Sequence, residues 1–329
     1  MSPHSPLSTG TTPQDHTAPA RHTAQAAPTD RTAPTGLRAG IRRRPLTWFF
    51  VLAYVLSWAA WTPYVLSDNG LGILHFGFPS LLGTTQLLGV LPGAYLGPIF
   101  SAFLVTATAQ GRPGLRAWAG RLAKWRVSWR WYVAVIVGVP AVLTLSLTAL
   151  GGSVPAAPSA ALLAAFLPGL ILQMVTTGIA EEPGWRDFVM PIVQRRYGPL
   201  AGTLIVGPLW GAWHLPLFWT EWGGPHVTWE QPVEFILTAI AFSFVMTWVF
   251  NRTGESLPLA MLLHTGVNNF FSFAAAGMFP ELTQQDTVQA FLVASLVVAA
   301  VVLTATRGRL GYRKPPTVTG THPEATVRP

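Results

Sequence analysis

Apolar side chains occur along this chain in long blocks rather than in the alternating or every-third-residue patterns of water-soluble folds. A helix that crosses a bilayer needs about 20 mostly apolar residues. Runs of that kind occupy 46–66, 87–109, 131–150, 200–219, 232–250 and 257–277, with 288–306 slightly shorter. A further run starts near Ala160 and is irregular, because Pro168 interrupts it and Glu181 and Glu182 sit late in it. The pattern predicts an all-α polytopic membrane bundle of eight transmembrane helices over 45–306. Residues 1–44 are rich in Pro, Thr, Ala and Ser, with almost no large apolar side chain, so a disordered cytoplasmic tail is expected there. A second such tail is expected over 307–329. No cleavable leader is expected, since the first apolar run begins only at Leu46.

The basic residues test this count independently, because Lys and Arg near span ends collect on the cytoplasmic side. The segments 67–86, 151–159, 220–231 and 278–287 contain no Lys or Arg. The alternate connections carry Arg112, Arg116, Arg121, Lys124, Arg126, Arg130, Arg195, Arg196 and Arg252, and the C-terminal segment adds Arg307, Arg309, Arg313 and Lys314. With eight spans, all 21 basic residues fall on one side. The expectation is a multi-pass protein of the cell membrane with both termini cytoplasmic and with Arg42, Arg43 and Arg44 holding the entry of the first span. No repeat of 20 to 50 residues is visible.

Composition agrees with lipid as the main solvent: half of the residues are hydrophobic and 10% are charged, against roughly 25% charged in soluble domains. The net charge of +8 would suggest nucleic acid if it formed a patch on a globular domain. Spread between apolar runs it reads as topology, and no nucleic-acid partner is expected. The absence of Cys excludes disulfides, thiolate zinc sites and a Cys nucleophile. Oligomeric state has no signature in the sequence.

Ionisable groups in the hydrocarbon zone are costly, about 3 kcal/mol each on insertion scales, and so point to function. Of 13 acidic residues only Glu181 and Glu182 lie well inside a span, and of eight His only His214 and His264 do. Residues four apart share a helix face, which pairs Glu182 with Arg186, Trp210 with His214, and His264 with Asn268. The fourth and fifth runs form a hairpin whose natural turn is Gly198-Pro199. Glu181 lies 17 residues before Gly198 and His214 15 residues after Pro199, so an antiparallel pair sets them at one depth. His264, seven residues into its span, enters roughly 10 Å below the cytoplasmic face.

Taken singly, each of these has a structural explanation: an interhelical hydrogen bond for a His or Asn, a stabilising pair for Glu182 with Arg186, and packing or interface anchoring for Trp210, Trp213 and Trp219. Their convergence points to chemistry in a polar cavity open toward the cytoplasm. A carboxylate and an imidazole at one depth can activate water, and a His and Asn one turn apart can offer donors to an oxyanion. Glu181, His214 and His264 could alternatively hold a Zn²⁺ with an open water position. Pro183, inside the helix, removes a backbone bond to Ile179 and should kink the span.

The stretch Glu181-Glu182-Pro183-Gly184-Trp185-Arg186, then Leu209-Trp210-Gly211-Ala212-Trp213-His214-Leu215-Pro216, then His264-Thr265-Gly266-Val267-Asn268, resembles the CPBP family of intramembrane proteases. That family includes type II CAAX prenyl endopeptidases and proteins linked to bacteriocin processing or self-immunity. The resemblance covers roughly 160–275. It implies an eight-span bundle and an endopeptidase that cleaves a peptide or protein substrate near the cytoplasmic face. In that pattern Glu181 is the base, His214 helps to position water, His264 and Asn268 line the oxyanion site, and Glu182 and Arg186 stabilise the cluster. The family has been described both as zinc-dependent and as a metal-free glutamate protease, so the resemblance leaves zinc open. Two positions depart from the pattern: Trp210 replaces the commoner Phe, a mild change, and Asp187 stands where Gly is expected and would act at the cytoplasmic mouth. A non-catalytic immunity or peptide-binding protein of the same fold is the alternative from another class, and a proton-coupled or metal transporter is a third.

Overall fold

A computed structural model describes residues 36–152, 154–224 and 228–314. Residues 1–35 and 315–329, the greater part of both expected tails, lie outside the described residues. The principal helices are α1 (Leu37–Arg43), α2 (Pro45–Leu66), α3 (Phe100–Leu122), α4 (Gly138–Gly151) and α5 (Ala160–Gln173), followed by α6 (Ile179–Glu182), α7 (Met190–Trp213), α8 (Glu230–Arg252), α9 (Leu257–Asn269) and α10 (Gln284–Thr306). Among the described residues there is no β-strand, and the expected all-α membrane bundle is the architecture found. Val55, Leu145, Leu163, Leu167 and Val301 are each more than half exposed on its outside, a distribution that lipid makes favourable and water does not.

Six helical stretches are long and apolar enough to cross a membrane, two fewer than the runs counted in the sequence. One of them, Ala160–Trp219, joins two of those runs and contains Gly198 at φ 84°, ψ 164°. The chain reverses there: Trp210 touches Glu181, 29 residues away, whereas a straight helix would separate them by about 44 Å. Only Gly adopts that backbone conformation without strain. The other missing run is 257–277, where α9 ends at Asn269 and passes into a π-helical turn, Phe270–Ala275.

Local signals set several boundaries. Pro45 opens α2 at the first helical position, where its missing N–H costs nothing. Ser159 caps α5 by accepting the Leu162 N–H, and Thr283 and Asp286 form a reciprocal capping box at the start of α10. Gly207 and Gly211, one turn apart on α7, let that helix approach α8 closely: a Cβ on either would lie 2.8 Å from the Ile240 Cα or 3.0 Å from the Ile236 Cα. On the other flank, the Trp213 indole N–H donates to Ser57 Oγ (2.8 Å), and the Trp58 indole N–H donates to the Trp213 carbonyl (2.9 Å). The C-terminal end of α7, and with it His214, is therefore gripped by α8 and α2.

Two segments counted with the tails are folded. Residues 37–43 form α1, burying Ala39 and Ile41; a lone Ile among arginines carries no periodicity that sequence reading could use. Beyond α10, Leu310 is fully buried, its carbonyl accepting from Asn251 Nδ2 (3.1 Å) and its N–H donating to Thr306 Oγ1 (3.1 Å).

Candidate active site

The two acidic residues sit on a single turn of regular helix, α6, with π-helical turns on either side, Met174–Gly178 and Pro183–Val189. The break expected from Pro183 takes the form of the second π turn, and Pro183 keeps helical angles (φ −59°, ψ −29°). Its carbonyl accepts the Trp118 indole N–H at 3.0 Å. Consecutive helix residues point about 100° apart, so Glu181 and Glu182 meet different neighbours.

Glu181 faces α7. Its Oε2 accepts the Trp210 indole N–H at 2.7 Å and lies 3.9 Å from His214 Nε2. The other His214 nitrogen, Nδ1, is 3.0 Å from the Trp210 carbonyl; a carbonyl only accepts, so Nδ1 carries the proton and Nε2 presents its lone pair. The His214 ring lies between Trp213 and Phe235, with centroids at 4.6 and 4.9 Å, and Trp222 stacks on it at 5.7 Å and 17°.

Glu182 faces α9. Its Oε1 accepts from His264 Nδ1 at 2.8 Å, and its Oε2 is 3.7 Å from Arg186 Nε, one turn along. Arg186 donates to Ser243 Oγ of α8 (3.3 Å), and its guanidinium carbon stands 4.7 Å above the Trp210 ring, a cation–π contact. The side chains of Glu182 and Arg186 are 0% exposed, whereas those of Glu181, His214 and His264 keep 8, 9 and 7%. What little access there is lies on the Glu181 side.

The structure thus brings Glu181, Glu182, Arg186, His214 and His264 together. Asn268 stands one turn beyond His264 on α9, half-buried, and makes no side-chain hydrogen bond among the described residues. Its neighbour Asn269, which sequence reading passed over, is fully buried and donates to the Phe166 carbonyl (3.0 Å), tying α9 to α5.

Trp210 is the residue most under-read from sequence. It is no interface anchor, and its exchange for Phe is not mild: the indole N–H bonds the Glu181 carboxylate and the ring face carries Arg186. The usable signal was that Trp, unlike Phe, has a donor. Trp213 is likewise buried, and of the three only Trp219 is exposed. Asp187 is buried rather than at an open mouth. It accepts from Arg121 Nε, while its carbonyl takes a second bond from Arg121 Nη2 (3.1 Å) and Arg121 Nη1 lies 3.7 Å from Glu255. The end of α3 is thereby bolted to the helix that carries the acidic pair.

A zinc ion held by Glu181, His214 and His264 would need three converging donors. Among the described residues no group of three or more His, Asp or Glu side chains is arranged to hold a metal ion, and the His264 nitrogen facing the cluster is bonded to Glu182. The donor set does not fit, and the chemistry below is built on side chains alone.

Fold and site together define a polytopic helical membrane protein with a buried Glu–His centre made by three helices. Comparison with known proteins is in accord. The family described as Rce1-like, type II CAAX prenyl endopeptidase Rce1-like, matches residues 163–270, a range that contains all of Glu181, Glu182, Arg186, His214, His264 and Asn268. The chain is also 23% identical over 266 residues to a protein named CAAX prenyl protease 2 from Methanococcus maripaludis, covering 78% of this chain and 92% of that one. These matches support a CPBP family intramembrane protease.

Proposed function

We propose that the protein is an intramembrane endopeptidase in which Glu181 and His214 together activate the water that attacks a peptide bond near the cytoplasmic face, with both termini on that side. The observation that carries this reading is the 3.9 Å between Glu181 Oε2 and His214 Nε2. That separation is too long for a hydrogen bond and suits one bridging water with legs of about 2.8 Å. Both atoms are acceptors, so such a water donates both protons and turns its own lone pairs outward, toward a substrate carbonyl.

Attack on the carbonyl carbon passes the water proton to Glu181, which returns it to the leaving amide nitrogen as the C–N bond breaks. The products are a carboxylic acid and an amine, and Glu181 ends as it began. The oxyanion needs donors. Glu182 binds the Nδ1 proton of His264, so a second proton on Nε2 makes His264 a donor, with the imidazolium charge balanced by Glu182. The two carboxylates, Arg186 and that imidazolium then sum to zero, which favours burial of the cluster. Asn268, one turn away and free of other bonds, supplies a second donor. The relative's name makes a prenylated C-terminal CAAX peptide the first substrate to try.

A single turnover in H₂¹⁸O tests the role given to Glu181. Direct attack by water places ¹⁸O in the new C-terminal carboxylate of the product. Label appearing first in the Glu181 carboxyl would mean that Glu181 is a nucleophile, and the role given to it here would be wrong.

A further inference from the structure

The segment that follows α10 is held in a shape that a loose tail would not keep. Arg307 and Leu310 have left-handed backbones (φ 50° and 47°), alternating with Gly308 and Gly311 (φ 73° and 69°). L-residues other than Gly rarely stay in that region unless their surroundings hold them there. The hold is visible: Leu310 is fully buried and bonded through both its N–H and its carbonyl. Gly311 lies against the Arg252 stem, so close that a Cβ would meet its Cδ at 2.5 Å.

This knuckle closes a cavity of about 390 Å³ lined by Trp248, Arg252, Thr306, Arg309, Tyr312 and Arg313, among others. Its wall has no carboxylate. None of Arg252, Arg309 and Arg313 has an ion-pair partner among the described residues, and the Tyr312 hydroxyl is buried without a hydrogen bond. Three guanidinium groups facing one space repel each other unless an anion sits between them. Guanidinium forks and a hydroxyl donor match the oxygens of a phosphate group.

We infer that Arg252, Arg309 and Arg313, with Tyr312, form a binding site for a phosphate group, the chemistry shared by anionic phospholipid headgroups and soluble phosphoesters. The surroundings favour the lipid. Trp248 lines the cavity, and Trp is enriched where apolar span meets headgroup. Ala305 lines it too, and Val301 and Val297 lie one and two turns before Ala305 on the same face of α10, 60% and 57% exposed. A headgroup in the cavity therefore has an apolar track beneath it for its chains. This site involves none of the residues assigned to peptide hydrolysis.

The test uses the full chain purified in a neutral detergent, with retention of added phosphatidylglycerol or phosphatidylcholine followed by native mass spectrometry. Wild type should retain phosphatidylglycerol in preference to phosphatidylcholine. The triple variant Arg252→Ala, Arg309→Ala, Arg313→Ala should lose that preference, by roughly fivefold per arginine removed. Thermal unfolding without lipid checks that the variant is folded; should it fail, Arg313→Glu, at an exposed position, is read in the same way. Resistance of retained phosphatidylglycerol to millimolar inorganic phosphate identifies the lipid as the source, and its displacement identifies a soluble phosphoester in the same site. Equal retention of the two lipids by wild type, or unchanged preference in the variants, overturns the inference.

Discussion

Glu181 and Glu182 are adjacent in sequence and share one turn of helix, yet their environments differ in the respect that matters for chemistry. Glu182 has His264 at 2.8 Å on one oxygen and Arg186 at 3.7 Å from the other, with no exposure at all. Glu181 has one donor, the Trp210 indole, and then a gap of 3.9 Å to an imidazole nitrogen that can only accept. The first arrangement consumes a carboxylate in holding other groups. The second leaves one with unfinished valence toward whatever enters the gap. Burial alone, nearly equal for the two, does not distinguish a reacting residue from a supporting one. What distinguishes them is which acceptors have been left without a protein donor.

That contrast makes separable predictions. The largest effect belongs to Glu181→Gln, which removes the base while keeping size and most contacts: peptide cleavage in proteoliposomes should fall by about 10³-fold, with little change in thermal unfolding. Comparable unfolding losses in Glu181→Gln and Glu182→Gln would erase the distinction. Glu182→Gln strands the buried Arg186 charge and should cost about 3 kcal/mol of stability, read as a lowered unfolding temperature in detergent. The smallest effect is that of Trp210→Phe. It deletes one hydrogen bond to a charged acceptor and should lower kcat/KM by about tenfold while the protein stays folded. A wild-type rate in Trp210→Phe would reduce the indole to packing.

Much of this was legible from residue order alone, for reasons that can be stated. Apolar block length reports helices in lipid because backbone groups there must bond within their own segment, and the reversal at Gly198-Pro199 follows from backbone chemistry. The meeting of Glu181 with His214 follows from that turn and from counting. The partition of the cluster was less accessible: spacing pairs Glu182 with Arg186, but nothing in it says that His264 bonds Glu182 rather than Glu181, since that depends on a rotation of about 100° between neighbouring residues. The indole bond from Trp210 and the Asp187–Arg121 link join residues 29 and 66 positions apart, with no local pattern to mark them. The folded segment around Leu310 escaped for the opposite reason, since one buried Leu between two glycines resembles a tail in composition.

A π-helical turn holds one residue more than the α-helical turn it replaces, so each of the two turns that bracket the acidic pair stores a surplus position. Removing a residue from 174–178 would let that stretch relax to ordinary helix and would swing both carboxylates by about 100° relative to α5. The helix would still span and the bundle would still assemble, but Glu181 would no longer look toward His214. Changes of length in this stretch are therefore cheap for folding and severe for chemistry, and a one-residue deletion there would silence the protein without unmaking it.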